Sequence, residues 1–118
     1  MLHFVPSQFV TRPAVAQIDT ELRKCLRSST VNERVSFLSA LWQINPHYAL
    51  SLAASSQLPR ESSIELLQRW LGGHCNEGKA IIETFVPLVG EARFWKTVDE
   101  AEVLEPMAHM LGYQRGLT

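Results

Sequence analysis

Residues 30 to 46 read Thr30-Val31-Asn32-Glu33-Arg34-Val35-Ser36-Phe37-Leu38-Ser39-Ala40-Leu41-Trp42-Gln43-Ile44-Asn45-Pro46, and their reading decides the fold. Thr30 to Glu33 has the form of a capping box, in which the threonine hydroxyl accepts from the third helical amide while the glutamate reaches back to the cap. The helix it opens carries Val35, Phe37, Leu38, Leu41, Trp42 and Ile44. That apolar surface is wider than one stripe, which predicts a helix central in the core. Asn45-Pro46 closes it and supplies the cap and first residue of the next helix.

Upstream, Val15, Ile18, Leu22, Cys25 and Leu26 recur at spacings of three and four behind Pro13, so a first amphipathic helix is expected from Pro13 to Ser28-Ser29. Its opposite face, with Asp19, Glu21, Arg23, Lys24 and Arg27, reads as solvated. Residues 1 to 12 hold Phe4, Val5, Pro6 and Phe9 and read as an extended arm able to dock on the domain. Downstream, His47 to Ser56 continues helically through Tyr48, Leu50, Leu52 and Ala53. Leu58-Pro59 introduces a fourth helix with Ile64, Leu66, Leu67, Trp70 and Leu71, stopped by Gly72-Gly73.

Asn76 is the expected cap of a fifth helix with Ile81, Ile82 and Phe85 inward, kinked or ended by Pro87. The β-branched run over residues 80 to 86 leaves a strand as the second reading. Gly90 precedes a short helical turn from Glu91 to Lys96. Thr97-Val98-Asp99-Glu100 repeats the capping-box pattern and is expected to open a last helix through Val103, Leu104, Met107, Met110 and Leu111. The sum is an all-α protein: a compact bundle of five to six short helices in one domain, residues 13–118, preceded by the arm at 1–12.

With 118 residues, 46% of them hydrophobic, the chain has material for a core without disulfides or metal, and wholesale disorder is excluded. Residues 1 to 60 carry six basic and three acidic side chains, a formal +3, and residues 61 to 105 four basic and nine acidic, a formal −5. A formal net charge of −1 argues against general polyanion binding while leaving local patches open. Two cysteines, Cys25 and Cys75, are too few for a disulfide scaffold, and Met1 to Pro6 lacks the pattern of a secretory leader. No segment approaches the roughly 20 apolar residues of a membrane span, so the expectation is a cytoplasmic protein with reduced thiols and no membrane partner.

His74-Cys75 are adjacent metal-ligand types, but His3, Cys25, His47 and His109 follow at no ligand spacing, so no metal site is expected. There is no nucleophile elbow and no phosphate-binding glycine loop. No catalytic residue and no cofactor are assigned, and the protein is not read as an enzyme. What remains is contact. Phe4, Phe9, Phe94, Trp95 and Tyr113 are more aromatic surface near segment ends than a small core readily absorbs, and desolvated aromatics anchor interfaces. The expected function is a non-catalytic protein–protein interaction domain, such as an adaptor, chaperone-like or regulatory subunit. Its exposed aromatic and acidic helical surface would comprise Phe94, Trp95, Asp99, Glu100 and Glu102, facing a protein partner or a second copy of the chain.

An alternative starts from residues 52 to 70, Leu-Ala-Ala-Ser-Ser-Gln-Leu-Pro-Arg-Glu-Ser-Ser-Ile-Glu-Leu-Leu-Gln-Arg-Trp. This resembles the helix-turn-helix segment of bacterial transcription repressors, with Val35 to Trp42 as the support helix. The resemblance implies a DNA-binding regulator using residues 46–71, in which Arg60, Ser62, Ser63 and Arg69 contact nucleic acid. The sequence departs from that pattern at Gln57, where the tight turn favours glycine, and at Ser63, where an aliphatic residue packs. Glu61 and Glu65 would face phosphate.

Overall fold

The capping box at Thr30 forms as its spacing predicts. In the computed structural model, which describes residues 4–71 and 78–101, Glu33 N–H donates to the Thr30 hydroxyl at 3.1 Å and Thr30 N–H donates to the Glu33 carboxylate at 3.2 Å. Six α-helices and one 3-10 turn account for the described secondary structure: the turn at Pro6–Phe9, then α1 (Ala16–Ser28), α2 (Val31–Trp42), α3 (Pro46–Ser55), α4 (Arg60–Leu71), α5 (Gly78–Val89) and α6 (Glu91–Glu100). No strand occurs among the described residues, so the chain is all-α. Its internal contacts divide between Pro59 and Arg60 into two compact units.

In the first unit α2 is the hub, packing on α1, on α3 and on the N-terminal turn. Its Val35, Phe37, Leu38, Leu41 and Trp42 are all buried, each contributing roughly 1.5–3 kcal/mol relative to an exposed side chain. Asn45 caps α3 by accepting from Tyr48 N–H at 3.2 Å, and its amide donates to the carbonyls of Phe9 and Val10. The N-terminal segment is therefore a docked 3-10 turn rather than an extended arm. Gln8 closes the turn through its own side chain, accepting from Val5 N–H at 2.7 Å, and Phe9 is buried against Phe37 and Tyr48 at ring distances of 6.3 and 5.8 Å.

α1 begins at Ala16, three residues later than Pro13 suggests, because nothing at its start caps with a side chain; Val15 is extended there. Only the C-terminal half of its apolar stripe is covered. Leu22 and Leu26 are fully buried and Cys25 half-buried, whereas Val15 is 53% and Ile18 40% exposed. The turn after α3 puts Gln57 at φ +57°, the left-handed conformation that glycine adopts without strain. Arg34 holds that turn by donating to the carbonyls of Ser56 and Gln57.

In the second unit α4, α5 and α6 each pack on the other two. The run over residues 80 to 86 is helical, not a strand, because Ile81, Phe85 and Val89 share one face at helical spacing and all three are buried. Pro87 neither kinks α5 early nor ends it at once. It lies in the last turn, where its missing N–H leaves only one carbonyl without its helical donor, and the helix stops at Val89. Gly90, at φ +90°, then lets α6 begin after a single intervening residue.

The second capping box is not realised. Thr97 is buried inside α6 and donates its hydroxyl to the Arg93 carbonyl at 2.8 Å, so the helix runs on to Glu100. A threonine that bonds back to the residue four earlier can stay within a helix rather than start one. Gly72-Gly73, His74-Cys75, Asn76 and the segment expected to hold the last helix beyond residue 101 lie outside the described residues.

Candidate functional site

The aromatic and acidic surface expected on α6 divides on inspection. Phe94 is fully buried, standing edge-on to Trp95 at a ring distance of 4.9 Å. It cannot serve as an exposed anchor in this conformation. The spacing of Phe94, Thr97 and Val98 already marks an inward helical face, and two adjacent aromatics cannot both point away from the same core. Trp95 is half-buried, Asp99 and Glu100 are exposed, and Glu100 faces Lys96 across 3.9 Å. Glu102 lies outside the described residues.

The residues implied by the helix-turn-helix resemblance are also dispersed in role. α3 belongs to the first unit and α4 to the second. Arg60 donates from Nε to the Val89 carbonyl at 3.0 Å, tying the start of α4 to the end of α5. Ser62 is half-buried. Ser63 is fully buried, and its hydroxyl has no hydrogen-bond partner among the described residues. Arg69 pairs with Glu65 on an exposed face at 2.9 Å.

Arg23, read from the sequence as part of a solvated face, is instead the most connected side chain of the first unit. Its Nε donates to Asp19 at 2.9 Å, Nη1 to the Ser51 carbonyl at 3.1 Å and the Ser55 hydroxyl at 2.7 Å, and Nη2 to the Ser51 hydroxyl at 2.8 Å. The second Asp19 oxygen accepts from the Tyr48 hydroxyl at 2.6 Å. Burial acts to raise the Asp19 carboxyl pKa, but the hydrogen bonds from Arg23 and Tyr48 outweigh it and hold the group below its ordinary 3.8. Burial, and after it the bond to Asp19, pushes the Tyr48 phenol well above its ordinary value.

Against this bonded cluster stands an apolar surface that the sequence reading touched only through Phe4 and Phe9 and did not assign as the contact face. The exposed large hydrophobic side chains of the described residues are Val5, Val10, Val15, Ile18 and Ile44, all in the first unit. Four of them fall between residues 5 and 18. Residues 4–18 also form an open groove of about 290 Å³ whose apolar lining is Phe4, Phe9, Pro13, Ala14 and Ile18, the last being the one exposed large hydrophobic among them. Gln8, Thr11 and Arg12 supply its polar lining, and no carboxylate lines it. The Arg12 guanidinium sits over the Tyr48 ring, 5.6 Å from its centre. Nearby Asp19 bonds Arg23 and Tyr48 and feels the Arg12 charge without a hydrogen bond to it among the described residues. The sequence signals for this surface were the apolar Phe4, Val5 and Phe9 of the N-terminal segment and the stripe of α1 that begins at Val15.

No helix of the described residues is long and apolar enough to cross a membrane, and no cluster of three or more His, Cys, Asp or Glu among them has the arrangement of a metal site. No protein-family model, no curated protein and no solved structure matches the chain.

Proposed function

We propose that this chain is a non-catalytic protein–protein interaction domain, an adaptor or regulatory subunit, and that its contact surface is the face built by residues 4–18 rather than α6. The observation that carries this reading is the exposure of Val5, Val10, Val15 and Ile18, at 53%, 65%, 53% and 40%, within one short stretch of chain that also forms a groove, of which Ile18 is a wall. Scattered apolar residues on a surface need no explanation, but several concentrated in one short segment beside a concavity are typical of a surface covered in an assembly. Trp95, Asp99 and Glu100 remain as a secondary, more polar surface on α6. The nucleic-acid reading draws no comparable support, since Ser63 is buried and the Nε of Arg60 and the guanidinium of Arg69 are engaged within the chain.

The test is affinity capture from the native host with the full chain and two variants. Val10→Ser plus Val15→Ser should lose the protein recovered by the natural chain, while Trp95→Ala retains it. Equal recovery by the double-serine variant, or recovery of nucleic acid that is lost on Arg60→Ala plus Arg69→Ala, overturns the proposal.

A further inference from the structure

The groove beside α1 has a chemistry of its own, and it narrows what kind of partner fits. From it we infer that the groove receives an internal segment of a partner protein in which a bulky apolar side chain stands next to an aspartate or glutamate. The apolar side chain enters between Phe9 and Ile18, and the carboxylate pairs with Arg12. This rests on the reading of residues 4–18 as the contact face.

Size sets the first limit. A volume of about 290 Å³ lies at the small end of ligand sites, enough for one large side chain and too little for a dinucleotide or a whole helix. Charge sets the second. Arg12 brings a positive charge to the groove wall, and no acid lines the groove. Asp19, outside the lining, feels that charge but already forms an ion pair with Arg23, so the two arginines leave one positive charge in excess. Its present contact, the Tyr48 ring at 5.6 Å, leaves the planar donor edge of the guanidinium available for a carboxylate, which it recognises in a two-pronged geometry. Asp19 acts on Arg12 only through its charge; its hydrogen bonds go to Arg23 and Tyr48.

The donors decide between an internal acid and a chain terminus. Capture of a C-terminal carboxylate relies on converging backbone amides. Here the Val5 amide is spent on Gln8 Oε1 and the Gln8 amide on the Val5 carbonyl, at 2.7 and 3.1 Å. Side-chain donors line the groove instead: the Arg12 guanidinium, the Thr11 hydroxyl and the Gln8 amide nitrogen, left over after its oxygen accepts from Val5. Long side-chain donors around an apolar floor suit a side-chain carboxylate whose neighbour is held below.

The probe is a blocked peptide, acetyl-Gly-Ser-Asp-Phe-Ser-Gly-amide, titrated into the isotope-labelled full chain and followed by amide chemical shifts. Saturable shifts are expected at Gln8, Phe9, Thr11, Ala14 and Ile18. Replacing the peptide aspartate by asparagine, or Arg12→Gln in the protein, should weaken binding by about tenfold, the scale of one charge-assisted contact. Arg12→Lys should recover part of that loss. Ile18→Glu should abolish the shifts, and because Ile18 is exposed the unperturbed remainder of the spectrum verifies the fold.

Three results overturn the inference: no shifts at these amides, binding unchanged by Arg12→Gln, or binding only of a peptide ending in phenylalanine with a free carboxylate. If the peptide fails while Val10→Ser plus Val15→Ser still loses its captured partner, the groove assignment falls and the contact face stands. If both fail, both fall.

Discussion

Arg23→Ala tests whether the interior of the first unit is held by one guanidinium. The side chain is 18% exposed and makes an ion pair with Asp19 together with three hydrogen bonds to Ser51 and Ser55, joining α1 to α3. Hydrogen bonds to a charged group contribute about 1.5–3 kcal/mol singly, but bonds sharing one guanidinium do not add, and partial solvent access lets water replace some of them. Asp19 also keeps Tyr48 as a donor when Arg23 is lost. The expected destabilisation is therefore about 2–3 kcal/mol, read from urea unfolding of the full chain. Lys24→Ala and Arg27→Ala, on exposed neighbours, should stay within about 0.5 kcal/mol of the natural sequence. Arg23→Lys should recover less than half of the loss, since an ammonium cannot span Asp19 and both serines in one geometry. A loss below about 0.5 kcal/mol for Arg23→Ala, or full recovery by lysine, would refute the reasoning.

The same cluster gives two pH signatures. Asp19 has its folded-state pKa lowered, so its contribution to stability is complete above 3.8 and is lost as pH falls through the lower folded value; Asp19→Asn should flatten that acidic limb of the unfolding profile. Tyr48 has its pKa raised, so its contribution is complete below the ordinary phenol value of 10.0 and is lost as pH rises through the higher folded one. In a Tyr113→Phe background, tyrosinate absorbance should then appear only together with alkaline unfolding, and a reversible titration near the ordinary value in the folded protein contradicts it. Ser63→Ala removes a buried hydroxyl that has no partner among the described residues and should raise stability by about 1 kcal/mol; a loss of stability in thermal unfolding means that the hydroxyl is bonded after all. Gly90→Ala should cost about 1–3 kcal/mol because its φ of +90° with ψ of 148° is nearly closed to side chains, whereas Gln57→Gly, at φ +57°, should fall between neutral and about 1 kcal/mol stabilising. Denaturant midpoints that rank the two positions the other way contradict that account.

Local chemistry was legible in the sequence wherever a few neighbouring residues decide the outcome. Thr30 with Glu33, and Asn45 with Tyr48 behind Pro46, fix helix starts because donor and acceptor lie within one turn of each other. Leu38 and Leu41 mark a buried face because periodicity is a property of the helix alone. That reasoning reached the all-α class and the central place of α2 in the first unit. It misread Thr97, whose pattern is identical to a cap but whose burial and bond to Arg93 belong to a helix already under way.

The candidate site depended on tertiary structure throughout. Phe94 and Ile18 carry the same kind of signal, an apolar side chain at a helical spacing, yet one is fully buried and the other lies open beside the groove. Nothing local distinguishes them, because exposure is set by whether another element covers that face. Arg23 and Arg12 differ in the same way: one is hydrogen-bonded to Asp19, Ser51 and Ser55, and the other lies over the Tyr48 ring with Asp19 near enough to feel its charge. The sequence by itself determined where helices begin and which faces are apolar, since those follow from short-range hydrogen bonding and the period of the backbone. Only the tertiary structure decided which apolar face and which cation were left for a partner, since both depend on side chains brought together from distant parts of the chain.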